Sequence, residues 1–276
     1  MIVDGVLILD FGSQYTQLIA RRIREQHVYC EIQPCTYSLS EVRDIAPRAI
    51  ILSGGPASVF AEGSPTVDPG VFDLGVPVLG ICYGMQLTSH LLGGKVEKAD
   101  EREYGPARLE VLKPEGLLHG FKVGSHLDVW MSHGDRVESL PNGFEVIART
   151  SNSPFAAVAN LERKIFGVQF HPEVAHTPRG VEMLRAFLFE VAGCKPNWTP
   201  GSFVEQSIES IRRQVGARSV VCGLSGGVDS SVAAMLVSKA IGERLTCIFV
   251  DNGLLRKDEA ESVVHTYRDH FGLKLI

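Results

Sequence analysis

Residues 76–86, V-P-V-L-G-I-C-Y-G-M-Q, constrain the fold of this chain more than any other stretch. The apolar first half has the length of a buried strand, and from Met85 onward apolar residues recur with helical spacing, so Cys82 is predicted to lie on a strand-to-helix turn. Glycines two residues before and after it form G-x-C-x-G, the cysteine counterpart of a serine nucleophile elbow, where a tight turn accepts only glycine. The free N–H groups of the following helix favour the thiolate of Cys82. The alternative is a buried cysteine that only fills space.

The segments before this turn alternate between strand and helix. Strands are predicted at 6–12, 28–32 and 48–53, with Ser13 capping the first helix and a short helix at 38–45. Such alternation favours a mostly parallel open α/β sheet with helices on both faces. The third strand runs into Ser53-Gly54-Gly55-Pro56, at the edge of the sheet where open α/β sheets bind ligands, although these residues also suit an ordinary tight turn.

Residues 95–160 show a different sequence pattern from the segments before them. They form short β-like segments separated by Gly, Pro and Asn, which predicts added antiparallel strands and hairpins against one edge of the sheet. A hairpin turn at 160–163 would return as a buried strand that ends at His171-Pro172-Glu173. An amphipathic helix follows and ends at Gly193.

Residues 194–201 break the periodicity and mark a domain boundary. We therefore expect one domain at 1–195 and a second at 196–276. The second has a helix, a strand, a glycine loop, a helix, a strand, another helix and L-K-L-I, which reads as a strand that has only begun. A β-α-β-α unit without closing elements is a partial domain.

Composition narrows the class of protein. The chain has 276 residues, 45% hydrophobic and 21% charged, with a net charge of −5, so we expect a globular protein with no basic face for nucleic acid. No stretch is apolar enough to cross a membrane and no secretory leader is visible, so we expect a cytoplasmic protein. The six cysteines lack paired zinc spacing, which leaves room for a single catalytic thiol.

A nucleophilic cysteine needs a base and a group that orients the base. Among the nine histidines, His171 follows a buried strand, and Glu173, two residues further along an extended segment, points to the same side. Cys82, His171 and Glu173 are therefore candidates for a catalytic triad. A histidine in such a position is by itself more often structural.

Four motifs in this order, S-G-G-P, G-I-C-Y-G-M-Q, M-S-H-G-D and G-V-Q-F-H-P-E, resemble those of the class I glutamine amidotransferases over nearly all of residues 6–193. The resemblance implies that family's fold and hydrolysis of the glutamine side-chain amide. It implies that Cys82 attacks the amide, His171 transfers the proton and Glu173 holds the imidazole. The oxyanion hole would be the backbone N–H groups of Gly55 and Tyr83.

By the same resemblance three further residues lie near bound glutamine. They are Gln86, Ser132 and His133. For Ser132 and His133 the alternative is that they only stabilise a turn.

The second candidate site is the glycine loop between a strand and a helix, L-S-G-G-V-D-S-S. Successive small residues at a helix N-terminus suit pyrophosphate, and the loop is not a Walker loop because G-K-[ST] is missing. The loop resembles that of the ATP pyrophosphatases, which implies a partial Rossmann-like adenine-nucleotide domain with Val250, in V-D-N-G, near the adenosine. It implies ATP binding by a set of residues in and after the loop: Ser225, Gly226, Gly227, Val228, Asp229, Ser230, Ser231 and Val250. Asp229 would be a Mg²⁺ ligand, or otherwise a helix cap.

A glutaminase followed by this loop, with D-F-G-S-Q-Y early and V-D-N-G-L-L-R late, resembles the glutamine-dependent synthetases that convert xanthosine monophosphate, ATP and glutamine to GMP, AMP, pyrophosphate and glutamate. The resemblance implies these three substrates and a homodimer for the full-length protein. The rest of that family's pyrophosphatase, its purine nucleotide site and its dimerisation module are not among these residues. We therefore expect a truncated chain.

Three alternatives stay open at this stage. The chain would be a stand-alone glutaminase that serves another acceptor, a non-catalytic binding module that keeps the triad as scaffold, or a fragment that folds but is nearly idle. The glycine loop argues against the first.

Overall fold

The computed structural model of this chain describes residues 5–251 and 253–276, except for the side chains of 99–102. Two compact units form, Met1–Trp198 and Thr199–Ile276. No helix in the described part of the chain is both long and apolar enough to cross a membrane.

Within the described residues, the first unit forms one nine-stranded sheet. Its strands are β1 (Val6–Asp10), β2 (Cys30–Pro34), β3 (Ala49–Leu52), β4 (Val78–Ile81), β5 (Lys95–Val111), β6 (His126–Ser139), β7 (Glu145–Arg149), β8 (Ala157–Asn160) and β9 (Ile165–Val168). They lie in the order β2-β1-β3-β4-β9-β8-β7-β5-β6. Neighbours from β2 to β9 are parallel and those from β9 to β6 are antiparallel, which confirms the predicted fold class.

Helices cover both faces of the parallel strands. They are α1 (Thr16–Glu25), α2 (Leu39–Ile45), α3 (Tyr83–Leu91) and α4 (Gly180–Ala186), and α4 continues as a π-helical segment at Phe187–Val191. The strand β1 shows why two layers are needed. Val6 and Ile8 belong to an apolar cluster with α1 and α4, whereas Leu7 and Leu9 belong to a second cluster with α2 and α3. All four side chains are fully buried, as expected when both faces of a parallel sheet are covered.

Helix starts follow local hydrogen bonds. α2 begins with a capping box in which Ser38 and Glu41 satisfy each other's backbone N–H groups. Ser13, predicted as the cap of α1, is not its N-cap residue, because α1 begins three residues later. Asp10 explains why α1 begins later than predicted. Its carboxylate accepts hydrogen bonds from Gly12 N at 2.9 Å and from Thr16 Oγ1 at 2.6 Å, and these bonds hold the intervening loop outside the helix.

The antiparallel extension differs in detail from the expectation of short strands. β5 and β6 are 17 and 14 residues long and pair with each other along most of their length. Register shifts between Lys95 and Val96 and between Lys98 and Glu103 let the hairpin bend. Polar segments therefore remain part of the two strands, although their sequence does not alternate between apolar and polar residues.

The second unit, by itself, is a small parallel α/β layer. Its elements are α5 (Pro200–Val215), β10 (Val220–Leu224), α6 (Val228–Ile241), β11 (Leu245–Phe249) and α7 (Glu259–Val264), and α7 continues as a π-helical segment at His265–His270. β10 and β11 are parallel neighbours. As predicted, the last residues only begin a strand: Leu275 forms an isolated parallel bridge with Cys247.

Two glycines let α3 pass close to the strands. A Cβ at Gly84 would lie 2.3 Å from Leu52 O, and a Cβ at Gly80 would lie 2.6 Å from the carbonyl oxygen of Gly84. Real Cβ atoms do not approach backbone atoms this closely. Both glycines of G-x-C-x-G are therefore required by packing.

We predict that Gly84→Ala lowers the free energy of unfolding of the first unit by about 3 kcal/mol or more, because the added methyl overlaps the backbone of β3. Urea unfolding followed by the fluorescence of Trp130 and Trp198 measures this. Gly63→Ala is the control, since its φ of +73° strains alanine but no atom lies within 4 Å; it should cost only about 1–2 kcal/mol. Equal losses in the two variants would contradict the overlap.

Candidate active sites

The pairing of β4 with β9 brings two distant segments together. Ile81 and Val168 are register partners in adjacent parallel strands, so the residues that follow them leave the sheet side by side. The backbone N–H of Cys82 donates to Val168 O at 2.7 Å. Gln169 Nε2 lies 3.6 Å from Cys82 Sγ, although 87 residues separate the two. The sulfur and His171 therefore meet at the carboxyl edge of the parallel strands.

Cys82 has a strained backbone that presents its sulfur. Its φ of 51° and ψ of −105° lie in a region that non-glycine residues adopt at a cost of about 1–3 kcal/mol. The residue is only 5% exposed, and Sγ lies 3.4 Å from Ser132 O. The turn thus fixes the thiol between β4, α3 and β6, as expected for a nucleophile elbow.

His171 is held on one side by Glu173 and on the other by Cys82. Its Nδ1 lies 2.7 Å from Glu173 Oε1, and both side chains are buried. Burial opposes a charge on the ring, but hydrogen bonds with Cys82 and with Glu173, together with their negative charges, raise the pKa of His171 to about 10. The ring of His171 therefore favours its charged, imidazolium form at neutral pH.

Thr177 fixes the backbone of His171 and was not singled out in the sequence. Its hydroxyl donates to His171 O at 2.6 Å and accepts from Trp130 N at 3.1 Å. His171 N in turn donates to Trp130 O at 3.0 Å. Thr177 is 2% exposed, so this bridge between β6 and the turn after β9 is shielded from water. A threonine six residues after a histidine carries no sequence signal of its own.

Gly55 and Tyr83, the residues predicted to form the oxyanion hole, lie close to each other and near Cys82. Tyr83 is the first residue of α3, where an N–H has no acceptor within the helix. Gly55 and Cys82 line the same cavity, and a Cβ at Gly55 would lie 2.7 Å from Phe11 O and 3.3 Å from Tyr83 Cγ. Among the described residues neither N–H donates to a protein group. This arrangement suits a developing oxyanion.

A cavity of about 430 Å³ opens onto Cys82. It is lined by residues from the β3 loop, the elbow, β5 and β6: Gly55, Pro56, Ala57, Ser58, Cys82, Gln86, Lys98, Tyr104, Ser132, His133, Gly134 and Asp135. One lysine and one aspartate are among them, so the cavity offers both charges that a zwitterionic amino acid needs. Lys98, Tyr104 and Asp135 were not candidates from the sequence, because strands so irregular give no periodic pattern.

Gln86, Ser132 and His133 all line this cavity, and the side chains of Gln86 and His133 also have partners within the protein. Gln86 Nε2 donates to Asp135 O at 2.7 Å and to Gln169 Oε1 at 3.3 Å. The ring nitrogens of His133 lie 3.1 Å from Asp135 O and 3.2 Å from Glu103 Oε2. These contacts stabilise the cavity wall. Direct contact of Gln86, Ser132 and His133 with a substrate stays a prediction.

In the second unit the glycine loop joins β10 to α6. Gly226 has a φ of +76°, and hydroxyls hold the loop closed: Ser225 N donates to Ser230 Oγ at 3.2 Å and Ser231 Oγ donates to Gly227 O at 2.6 Å. No side chain caps the N-terminus of α6 at Gly227. Gly227 N donates to Ser225 Oγ at 3.3 Å, so the N–H groups available to an anion are those of the first turn of α6.

The remaining candidates of this unit are exposed. Val228 and Val250 are 77% and 67% exposed, and Asn252, from the V-D-N-G segment, lies outside the described residues. Asp229 is an exposed residue in the first turn of α6 rather than its N-cap. The described residues contain no cluster of three His, Cys, Asp or Glu that could hold a metal. A single carboxylate fits Mg²⁺ only where phosphate oxygens and water complete the shell.

We predict that Thr177→Val slows alkylation of Cys82 by iodoacetamide at neutral pH several-fold and lowers the free energy of unfolding by about 1–3 kcal/mol, because a buried carbonyl and N–H lose their partner. Mass spectrometry of the Cys82 peptide and urea unfolding measure the two effects. Thr177→Ser keeps the hydroxyl and should restore both values. A valine variant that reacts and unfolds like the parent chain would exclude a role for this bridge.

Comparisons with known proteins agree with this geometry. Curated GMP synthases (glutamine-hydrolysing) from Heliobacterium modesticaldum and Brachyspira hyodysenteriae are 54% and 55% identical over 99% of this chain, which spans 53% of the length of each. A solved structure described as a GMP synthase subunit from Thermoplasma acidophilum covers 73% of this chain and 96% of its own, with 28% identity and a TM-score of 0.62.

Two family models match consecutive parts of the chain. The NAD synthase model matches residues 202–268, which contain the glycine loop. The class I glutamine amidotransferase model matches residues 7–191, which contain Cys82, the cavity and the His171–Glu173 pair. Because this match covers most of the sequence, the chain belongs to the class I glutamine amidotransferase family.

Proposed function

We propose that the chain is the glutaminase part of a glutamine-hydrolysing GMP synthase, joined to the beginning of its ATP pyrophosphatase domain. The observation that carries this proposal is the buried Cys82–His171–Glu173 set at the edge of the cavity. The identity of more than half to curated GMP synthases over nearly the whole chain supports the acceptor. With the proposal go a glutaminase domain at 1–195 and a partial pyrophosphatase domain at 196–276.

The first chemical step forms a thioester. The Cys82 thiolate attacks the side-chain amide carbon of glutamine, and the oxygen that becomes negative accepts hydrogen bonds from the N–H groups of Gly55 and Tyr83. His171 then gives its proton to the amide nitrogen, which leaves as ammonia. The carbon–nitrogen bond breaks and a glutamyl thioester remains on Cys82.

The second step releases glutamate. His171, now neutral, takes a proton from water, and the resulting hydroxide attacks the thioester so that the Cys82 thiolate leaves. Glu173 keeps the ring oriented and stabilises its charged form in both steps through the 2.7 Å contact with Nδ1. Gln86, Ser132 and His133 shape the substrate side of the cavity.

The second unit would hold the triphosphate of ATP on the loop residues 225–231, with the adenosine near Val250. ATP supplies the adenylyl group that activates the oxygen of xanthosine monophosphate, so that ammonia can replace it. Asp229 would approach a Mg²⁺ ion that the phosphates carry. Homodimer formation and a cytoplasmic location belong to the same proposal.

Trapping tests the glutaminase half. We expect a diazoketone analogue of glutamine to alkylate Cys82, since its ketone carbon occupies the position of the amide carbon and its reactive diazomethyl carbon that of the amide nitrogen. Glutamine should slow the reaction and asparagine should not. Mass spectrometry locates the adduct, which should be lost in Cys82→Ser and kept in Cys35→Ser, where a half-buried thiol is removed outside the cavity. An adduct on Cys82 that forms equally fast with glutamine present would rule out a glutamine site.

The acceptor half is tested in a polypeptide that joins this chain to the remaining part of a GMP synthase. Cys82→Ala should abolish synthesis of GMP from glutamine and leave synthesis from added ammonia intact. Failure of the parent polypeptide to use xanthosine monophosphate with ammonia would reject this acceptor without affecting the glutaminase assignment.

A further inference from the structure

A second cavity in the first unit has no part in the proposed glutaminase chemistry. It has a volume of about 760 Å³ and is lined by three arginines, Arg108, Arg136 and Arg149. One glutamate, Glu110, also lines it. We call it the arginine cavity. It lies where β5, β6 and the loop after β7 come together, on the antiparallel side of the sheet.

The strand register explains why two of the arginines, Arg108 and Arg149, converge. Glu110 on β5 pairs with Arg149 on β7, and Arg108 stands two residues before Glu110, on the same face of β5. β6 is the other neighbour of β5 and supplies Arg136. Side chains from three adjacent strands surround one volume, and the pairing of β5 with β7 fixes the spacing of Arg108, Glu110 and Arg149.

The positive charge in this cavity is only partly neutralised. Arg149 Nε lies 2.8 Å from Glu110 Oε2, and Arg136 pairs with Glu138 at the side. The guanidinium of Arg108 makes no hydrogen bond or ion pair with any residue whose side chain the structure describes, even though Asp128 is the register partner of Arg108 on β6. The guanidinium of Arg108 is thus left for a ligand. The neighbouring guanidinium of Arg149 can bind the same ligand in addition to Glu110, if the ligand is a stronger anion than the carboxylate.

The loop after β7 adds polar groups in a fixed conformation. Thr150 Oγ1 accepts from Asn152 N at 3.3 Å and from Ser153 N at 2.8 Å, and Thr150 N donates to Ser153 O at 2.9 Å. Ser151 and Asn152 line the cavity from this closed turn. Hydroxyl and amide donors therefore stand beside the guanidinium groups.

We propose that the arginine cavity is a binding site for a phosphate-bearing small molecule. Guanidinium groups bind phosphate oxygens in a bidentate manner and are the preferred side chains for this anion. The volume lies within the range of sites for small ligands, which is about 300–1,000 Å³. Inorganic pyrophosphate and a nucleoside monophosphate share this chemistry, and the relative affinity of the site for the two ligands tells which source occupies it.

The test uses calorimetric titration of the intact chain with pyrophosphate and with a nucleoside monophosphate. Arg108→Ala combined with Arg149→Ala should weaken binding at this site by about tenfold or more, as expected for the loss of charged hydrogen bonds. Glu110→Gln should act in the opposite direction and strengthen binding, because it releases Arg149. Arg21→Ala, which removes an exposed arginine of α1, should leave binding unchanged.

Hydrogen–deuterium exchange separates this site from the glycine loop. The ligand should slow exchange at residues 149–153 in the parent chain and not in the double arginine variant, whereas any protection at 225–231 should persist in both. If the nucleoside monophosphate binds more tightly than pyrophosphate, the cavity is a nucleotide site. If pyrophosphate binds more tightly, the cavity is a site for the inorganic anion. Unchanged affinity in both the double variant and Glu110→Gln, or protection confined to 225–231, would overturn the proposal.

Discussion

The parallel pairing of β4 with β9 is the contact on which the first unit's chemistry depends. Each strand leads into a segment that carries a residue the site needs, and the in-register pairing of Ile81 with Val168 makes the two segments leave the sheet side by side. A shift of one residue would turn the following side chains to opposite faces of the sheet. Because both strands are buried on both faces, the apolar core holds this register, and core packing far from the thiol determines the geometry of the site.

Electrostatics at the site follow from this placement. Cys82 and Glu173 flank one imidazole in a volume that excludes water, where hydrogen bonds to ions are stronger than in water. The raised pKa of His171 means that the ring holds a proton at neutral pH, beside the sulfur of Cys82. Thr177 and the backbone of Trp130 fix the backbone of His171. The strained turn at Cys82 lowers the stability of the fold, and so does the burial of the His171–Glu173 pair. The apolar clusters on the two faces of the sheet offset these costs.

Much of this arrangement was predictable from local patterns, and the rest was not. The elbow was visible because glycines mark a close approach of backbones, and the hairpin before β9 because Asn160 begins a turn between two apolar runs. The sequence did not predict the roles of Gln169, Thr177 and Lys98, since these roles arise from contacts across the sheet. The lengths of β5 and β6 were missed because the hairpin bends through polar segments without alternation. The start of α1 depends on Asp10, whose hydrogen bonds override the capping preference of Ser13.

The central claim is that the imidazole at 171 is charged because it lies between the thiol and Glu173. Carbon and nitrogen chemical shifts of the His171 ring, followed by NMR from acid to alkaline pH, measure this directly. The claim predicts that the ring titrates well above the ordinary histidine pKa of about 6.5, and that Glu173→Gln moves the titration to lower pH. Titration near 6.5 in the parent chain, unchanged by Glu173→Gln, would contradict it.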